Sequence, residues 1–155
     1  MVSLSERQLN NRESFQKLIP SIKSFKEIGI NKNLAKFGDI ITNLVFSQAK
    51  SIVTGIIDAK TVNQTILSEA LKGADMRVYA RKQADAHAIA DSAEAFIGYI
   101  YIAHIFTIDD MVDILVPKLQ IFQLNDRMME EQAGIEAFTT LLLKIKEVLI
   151  PKLSL

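Results

Sequence analysis

The residues of this chain best suited to chemistry are three acids set in apolar, helix-patterned segments. Asp39 lies in KFGDIITNLVF, whereas Asp91 and Glu94 lie in HAIADSAEAFIGYIYI, one helical turn apart. A carboxylate beside a hydrophobic core is costly unless a cation compensates its charge. Three converging carboxylates would suit Mg²⁺ or Mn²⁺, which prefer oxygen ligands and promote phosphodiester hydrolysis.

Helical geometry places His87, Asp91, Glu94 and Gly98 on one stripe of a helix, away from its apolar face. If this helix crossed another at Gly98 and Gly38, the three acids would meet, because glycine lets backbones approach closely. The same spacing is also typical of acids on an ordinary solvated helix face. Spacing alone therefore leaves the metal site and the solvated face both open.

Asn43, His87 and His104 are polar side chains on or near the same helical segments as the acids. Asn43 follows Asp39 by one helical turn, and His87 precedes Asp91 by one turn, so both are expected to contact the acids. His87 could serve there as a ligand, a proton carrier or a support for the acids, and the alternative interpretation is an ordinary helix-face histidine. His104 lies within an aromatic and aliphatic segment and is predicted to pack against it.

The apolar periodicity predicts an all-α bundle of about seven helices in a single domain spanning residues 1–155. Hairpin dipeptides and strand-like alternation are absent from the sequence. The first predicted helix begins after Ser5, the second runs from Pro20 to Gly29, and the third runs from Asn31 to just before Gly55. The fourth runs from Thr61 to Lys72, and the fifth runs from Asp75 or Ala84 to His104. The sixth begins after Asp109 and is bent or broken at Pro117, and the seventh runs from Asp126 to Leu149.

Composition narrows the class of protein. The 18 basic and 18 acidic residues balance, so the net charge gives no support for nucleic-acid binding. A local basic run extends from Lys72 to Lys82, and it is interpreted either as a solvated face or as an RNA contact. There is no cysteine, no apolar run long enough to cross a bilayer and no apolar signal core near the N-terminus. We therefore expect a cytoplasmic protein without membrane contact.

The two acid-bearing segments together resemble the catalytic domain of the ribonuclease III family. FGDIITNLVF is similar to that family's FLGD helix, and ADSAEAFIGYIYI is similar to its D-x-x-EA-(L/F)-IG helix. The resemblance covers residues 31–104, leaving 109–151 as additional C-terminal helices. It implies a ribonuclease III-like helical bundle in which Asp39 and Glu94 are catalytic and Asp39, Asp91 and Glu94 bind Mg²⁺ or Mn²⁺.

Two positions depart from the family pattern. At the position of Ala35 the family usually has a glutamate that binds metal, and at the position of Lys32 it often has another acid. Ala35 and the EAFIGYIYI string are similar to the mini-ribonuclease III type, which lacks a double-stranded-RNA-binding domain, and no pattern for such a domain follows Tyr101. Asp91 instead agrees with the larger enzymes.

The resemblance implies a homodimeric endoribonuclease that cuts double-stranded or structured RNA during RNA processing, leaving a short 3′ overhang. A partner protein that positions the substrate is compatible with it. A catalytically weak duplex-RNA-binding protein and a helical assembly protein remain as alternatives. The candidates for phosphate contact are the basic residues nearest the motifs: Lys32, Lys36, Lys72, Arg77, Arg81 and Lys82.

Overall fold

A computed structural model describes residues 3–19 and 21–155. Within these residues the chain forms seven α-helices, one 3₁₀ turn at Arg77–Tyr79 and no strand, which confirms the all-α prediction. The helices are α1 (Leu4–Gln16), α2 (Phe25–Gly29), α3 (Lys32–Thr54), α4 (Gln64–Gly73), α5 (Ala86–Ile102), α6 (Ile108–Leu119) and α7 (Arg127–Leu149). None of these helices is long and apolar enough to cross a membrane.

The ends of α3 and the start of α7 match the sequence prediction because each has a strong local signal. The Asn31 side chain accepts a hydrogen bond from the Leu34 N–H at 2.9 Å, which caps the start of α3. Gly55 ends α3 with a left-handed φ of 76°. Asp126 caps α7 through the N–H groups of its first turn.

Other boundaries differ from the prediction, because a nearby residue makes the better cap. Ser3 rather than Ser5 caps α1, and Thr107 rather than Asp109 caps α6, since each forms a capping box with the residue three positions on. Helix α4 begins after its cap Asn63 rather than near Thr61. Pro117 does not break α6, which continues to Leu119.

The second and fifth helices are shorter than predicted. Pro20 lies outside the described residues, and residues 21–24 are not helical, so α2 begins only after its cap Ser24. Asp85 caps α5, and Asp75 and Gln83 adopt left-handed φ values that a continuous helix does not allow. The helix ends at Ile102, and His104 is exposed with a φ of 56°, so the prediction that His104 packs was wrong.

The core is centred on α5, which packs against α2, α3, α4 and α7. The largest side chains sealed in this core include Phe25, Phe46, Phe96 and Phe138, from four different helices. Burial of each such side chain contributes about 1.5–3 kcal/mol, so α5 is held firmly on several sides. The acids of α5 therefore stand on a rigid element.

A buried ion-pair network ties α3 to α7. Lys50 and Glu130 are 3.0 Å apart with side chains that are each 11% exposed, and Glu130 also pairs with Lys60 at 2.9 Å. Burial would raise the pKa of Glu130, but the hydrogen bonds and charges of Lys60 and Lys50 outweigh it and lower that pKa. Asp58, 3.5 Å from Lys50, brings the segment after α3 into the same network.

Helices α3 and α5 cross in direct backbone contact at two glycines. A Cβ atom added to Gly38 would collide with the carbonyl group of Glu94. One added to Gly98 would lie 2.6 Å from the Leu34 carbonyl oxygen and 3.1 Å from the Gly38 Cα atom. Both glycines are therefore required for this close approach of α3 and α5. The approach places Asp39, which follows Gly38 on α3, opposite Glu94 on α5.

Candidate catalytic site

The crossing brings the carboxyl groups of Asp39 and Glu94 within hydrogen-bonding reach. Asp39 is exposed, whereas Glu94 is partly buried one turn before Gly98. Burial, the charges of Asp39 and Asp91 and the hydrogen bond with Asp39 together raise the pKa of Glu94 to about 8. The site therefore concentrates negative charge, and Glu94 holds a proton at neutral pH unless a cation replaces it.

Asp91 lies one turn before Glu94, close enough for its charge to act on the Glu94 carboxyl group. Its own carboxylate is 3.6 Å from Nε2 of His87, one turn earlier on α5. The Asp91 side chain is 45% exposed and that of His87 is 73% exposed. His87 thus contacts the acid cluster, in the position expected from the sequence.

Asn43 fixes the orientation of Asp39. Its Nδ2 donates to Oδ1 of Asp39 at 3.2 Å, and its Oδ1 accepts from the backbone N–H of Val62 at 2.8 Å. The second bond assigns the amide orientation, since only the carbonyl end can accept from an N–H. Asp39 is therefore linked through Asn43 to the segment that leads into α4.

The donor set fits a hard divalent cation in its chemistry. All three acids offer oxygen atoms, and a cation beside Asp39 and Glu94 would offset the burial and the negative charge that together raise the Glu94 pKa. Within the described part of the chain, however, no three or more His, Cys, Asp or Glu side chains are arranged closely enough to form a ligand group. Asp39 and Glu94 meet, and Asp91 stands at the edge of the pair.

Ala35 faces the Asp91 side of the site. It is buried and lines a pocket of about 70 Å³ together with Asp91, Lys32 and Arg81. The position at which the resemblance implies a metal-binding glutamate therefore does face an acid of the cluster. In this chain the same pocket is lined by two basic residues instead.

The candidate RNA contacts differ in their surroundings. Lys32 and Arg81 line the pocket beside Asp91, and Lys36 and Lys82 are exposed. Lys72 pairs with Glu69 at 3.3 Å on α4. Arg77 is partly buried and donates to the Arg81 carbonyl at 3.4 Å, which helps to shape the segment before α5.

Two residues that position the site were not found by sequence reasoning. The Ser92 hydroxyl is buried and donates to the Gly29 carbonyl at 2.6 Å, which fastens the end of α2 to α5. The Lys26 ammonium donates to the carbonyls of Val78 and Ala80, and so holds the segment that carries Arg77 and Arg81. Neither residue has a local motif, since both act across long sequence distances.

The comparison with protein families agrees with the geometry. The family model described as Ribonuclease III matches residues 32–150, most of the chain. The chain therefore belongs to the ribonuclease III family, whose members act on double-stranded RNA. A search of curated proteins gave no match.

Proposed function

We propose that this protein is a divalent-metal-dependent endoribonuclease that hydrolyses phosphodiester bonds in double-stranded or structured RNA. The contact between Asp39 and Glu94 across the Gly38–Gly98 crossing is the observation that carries this proposal. Holding two carboxyl groups together at a rigid helix crossing costs free energy, because they are partly removed from water beside a like charge. A divalent metal ion that promotes phosphodiester hydrolysis would compensate that charge. The family match supports the same conclusion.

The chain's own residues have separable tasks in this mechanism. Asp39 and Glu94 would hold Mg²⁺ or Mn²⁺, with Asp91 at the edge of the pair as a further oxygen donor. The ion would supply Lewis-acid stabilisation of the phosphate and lower the pKa of bound water. Asn43 keeps one oxygen of Asp39 oriented through its bond to Val62. Glu94 would have to lose its proton on binding the cation, since burial and the negative charges of Asp39 and Asp91 raise its pKa to about 8.

The substrate class follows from the family and from the distribution of basic residues. Double-stranded RNA is recognised mainly through its shape, phosphates and 2′-hydroxyls. Lys32 and Arg81 beside Asp91 are suited to phosphate contact near the acids, and Lys36 and Lys82 are exposed on the adjoining segments. Because the chain is neutral overall, we propose a local contact surface rather than a broad basic field.

We also propose a homodimer. Ile40 follows Asp39 directly, and Ile40 and Leu44 are 66% and 47% exposed on the same side of α3. Covering such residues with a second copy would remove apolar area from water and place two acid clusters in one assembly. Sedimentation velocity should show a dimer that Leu44→Lys weakens; a native monomer at micromolar concentration would contradict the proposal.

The test of the main proposal is cleavage of a perfect RNA duplex in Mg²⁺ or Mn²⁺ by purified native protein. We expect cleavage that requires the metal and is lost in the Asp39→Asn and Glu94→Gln variants. Asp113→Asn is the matched control, because Asp113 is an exposed acid on α6 outside the cluster. Undiminished cleavage by the two site variants would overturn the proposal.

A second candidate is a duplex-RNA-binding protein with weak or no catalysis. It is favoured by Ala35 and the cations that line the pocket beside Asp91, because fewer acids hold a metal less tightly. Duplex binding that survives in EDTA, without cleavage on adding Mn²⁺, would select it. A helical assembly protein would instead be oligomeric and indifferent to both RNA and metal.

A further inference from the structure

An open cleft of about 540 Å³ lies between α1 and the turn that joins α5 to α6. Three partly buried aromatic residues, Phe15, Tyr101 and Phe106, line it. Phe37 supports two of them, with ring centroids 5.5 Å from Phe15 and 6.0 Å from Tyr101. The volume falls within the range of roughly 300–1,000 Å³ that is typical of small-molecule sites.

The rim of this cleft carries groups of both charges from different elements. Arg12 comes from α1, His104 from the turn after α5, and Asp109 from the first turn of α6, and all three are exposed. The capping box of α6 is made by Thr107 and Asp110, so Asp109 is not needed for it. The rim therefore offers a cation, an imidazole and a carboxylate above an aromatic surface.

His104 is unusual because its backbone has a φ of 56° just after a helix end. Glycine or asparagine is normally preferred there, since a larger side chain costs free energy in the left-handed region. The His104 N–H donates to the Tyr101 carbonyl at 3.0 Å, which fixes the conformation. The His104 side chain is therefore held at the cleft by a left-handed backbone that glycine would adopt at lower cost.

We propose that this cleft binds a nucleotide unit, either a free nucleotide or an unpaired residue of RNA. The base stacks on the aromatic surface, the phosphate lies by Arg12 and His104, and Asp109 accepts hydrogen bonds from the base. The choice of ligand rests on the proposed function, since an RNA-cleaving protein meets unpaired nucleotides at the ends of its substrates and products. The cleft is a site additional to the acid cluster.

Calorimetric titration with GMP in EDTA tests the proposal on the full chain. We expect saturable binding that is stronger than binding of inorganic phosphate and is weakened about tenfold by Arg12→Ala. His104→Gly should weaken GMP binding while leaving the melting temperature unchanged or higher, because glycine accepts the left-handed backbone. Gln83→Gly is the matched control: Gln83 has a φ of 58° outside the cleft, so only stability should change.

Absence of saturable GMP binding would overturn the proposal, as would phosphate binding as strong as that of GMP. Equal effects of His104→Gly and Gln83→Gly on binding would also overturn it. Asp39→Asn should bind GMP normally, so loss of cleavage and loss of nucleotide binding are separate results. A comparison of a blunt duplex with a duplex that has a 3′ single-stranded tail identifies the occupant. If native protein binds the tailed duplex more tightly and His104→Gly abolishes that difference, the cleft binds an unpaired residue of RNA. If the two duplexes bind equally or the difference survives in His104→Gly, the occupant is a free nucleotide.

Discussion

Asn43 stands between Asp39 and the backbone of Val62, donating to the first at 3.2 Å and accepting from the second at 2.8 Å. Because an amide can do both at once, the orientation of the proposed catalytic acid is coupled to the segment that leads into α4. Asp39 is exposed on its helix, so this bond, together with the contact with Glu94, restricts its carboxylate.

Asn43→Asp should keep the protein folded but slow RNA cleavage. The new carboxylate still accepts from Val62 but cannot donate to Asp39, so the orienting bond is lost. Groups that orient ligands typically contribute about 10–100-fold to activity or metal affinity. Gln48→Glu, the same kind of change elsewhere on α3, is the control, and equal cleavage rates for the two variants would contradict the role given to Asn43.

Gly38→Ala and Gly98→Ala should each destabilise the fold by about 1–3 kcal/mol in urea denaturation, because a methyl group has no space at the crossing. Gly73→Ala is the comparison, since its Cβ would meet only the Thr139 side chain, at 3.2 Å. A smaller loss is expected there because that side chain can shift. Equal stability of all three variants would show that α3 and α5 do not touch at these glycines.

Glu130→Gln should cost up to about 3–5 kcal/mol near neutral pH, since buried Lys50 loses its nearer partner and keeps only Asp58 at 3.5 Å. The folded-state pKa of Glu130 is lowered, so its contribution is present above the ordinary value of 4.5 and is lost as pH falls through the lowered value. The difference between native and variant urea curves should therefore shrink in acid. Glu69→Gln, which breaks the exposed pair with Lys72, should cost at most about 1 kcal/mol.

Glu94 should make the metal-free protein less stable as pH rises. Its folded-state pKa is raised from 4.5 to about 8, so its contribution is fully present below 4.5 and is lost as pH rises through about 8. Melting curves in EDTA should show this decline for native protein, and Glu94→Gln should show less of it. Mn²⁺ should raise the melting temperature of native protein at alkaline pH and have little effect on Glu94→Gln.

The sequence predicted those parts of the structure that depend on neighbouring residues. The caps at Asn31, Gly55 and Asp126 are local, and so is the stripe that carries Asp91 and Glu94. The α3–α5 contact was also predictable, because two glycines beside acids indicate where two helices approach. Where two cap residues competed, as at Ser3 and Ser5, the sequence could not choose between them.

The remaining features depend on distances that only the folded chain defines. Lys50 and Glu130 are far apart in sequence, and nothing local shows that both become buried and paired. The bond from Ser92 to Gly29 is of the same kind. The sequence predicted that His104 packs in the core because its neighbours are apolar. The helix ends before His104, however, and its left-handed backbone leaves the side chain exposed.

The role of Asp39 in metal-dependent cleavage is tested by the rate at which native protein and Asp39→Asn cut duplex RNA in Mn²⁺, measured on samples with equal melting curves. We expect metal-dependent cleavage by the native protein and a reduction of at least about a hundredfold in the variant. Cleavage that persists in EDTA, or that Asp39→Asn leaves unchanged, would show that Asp39 does not have this role.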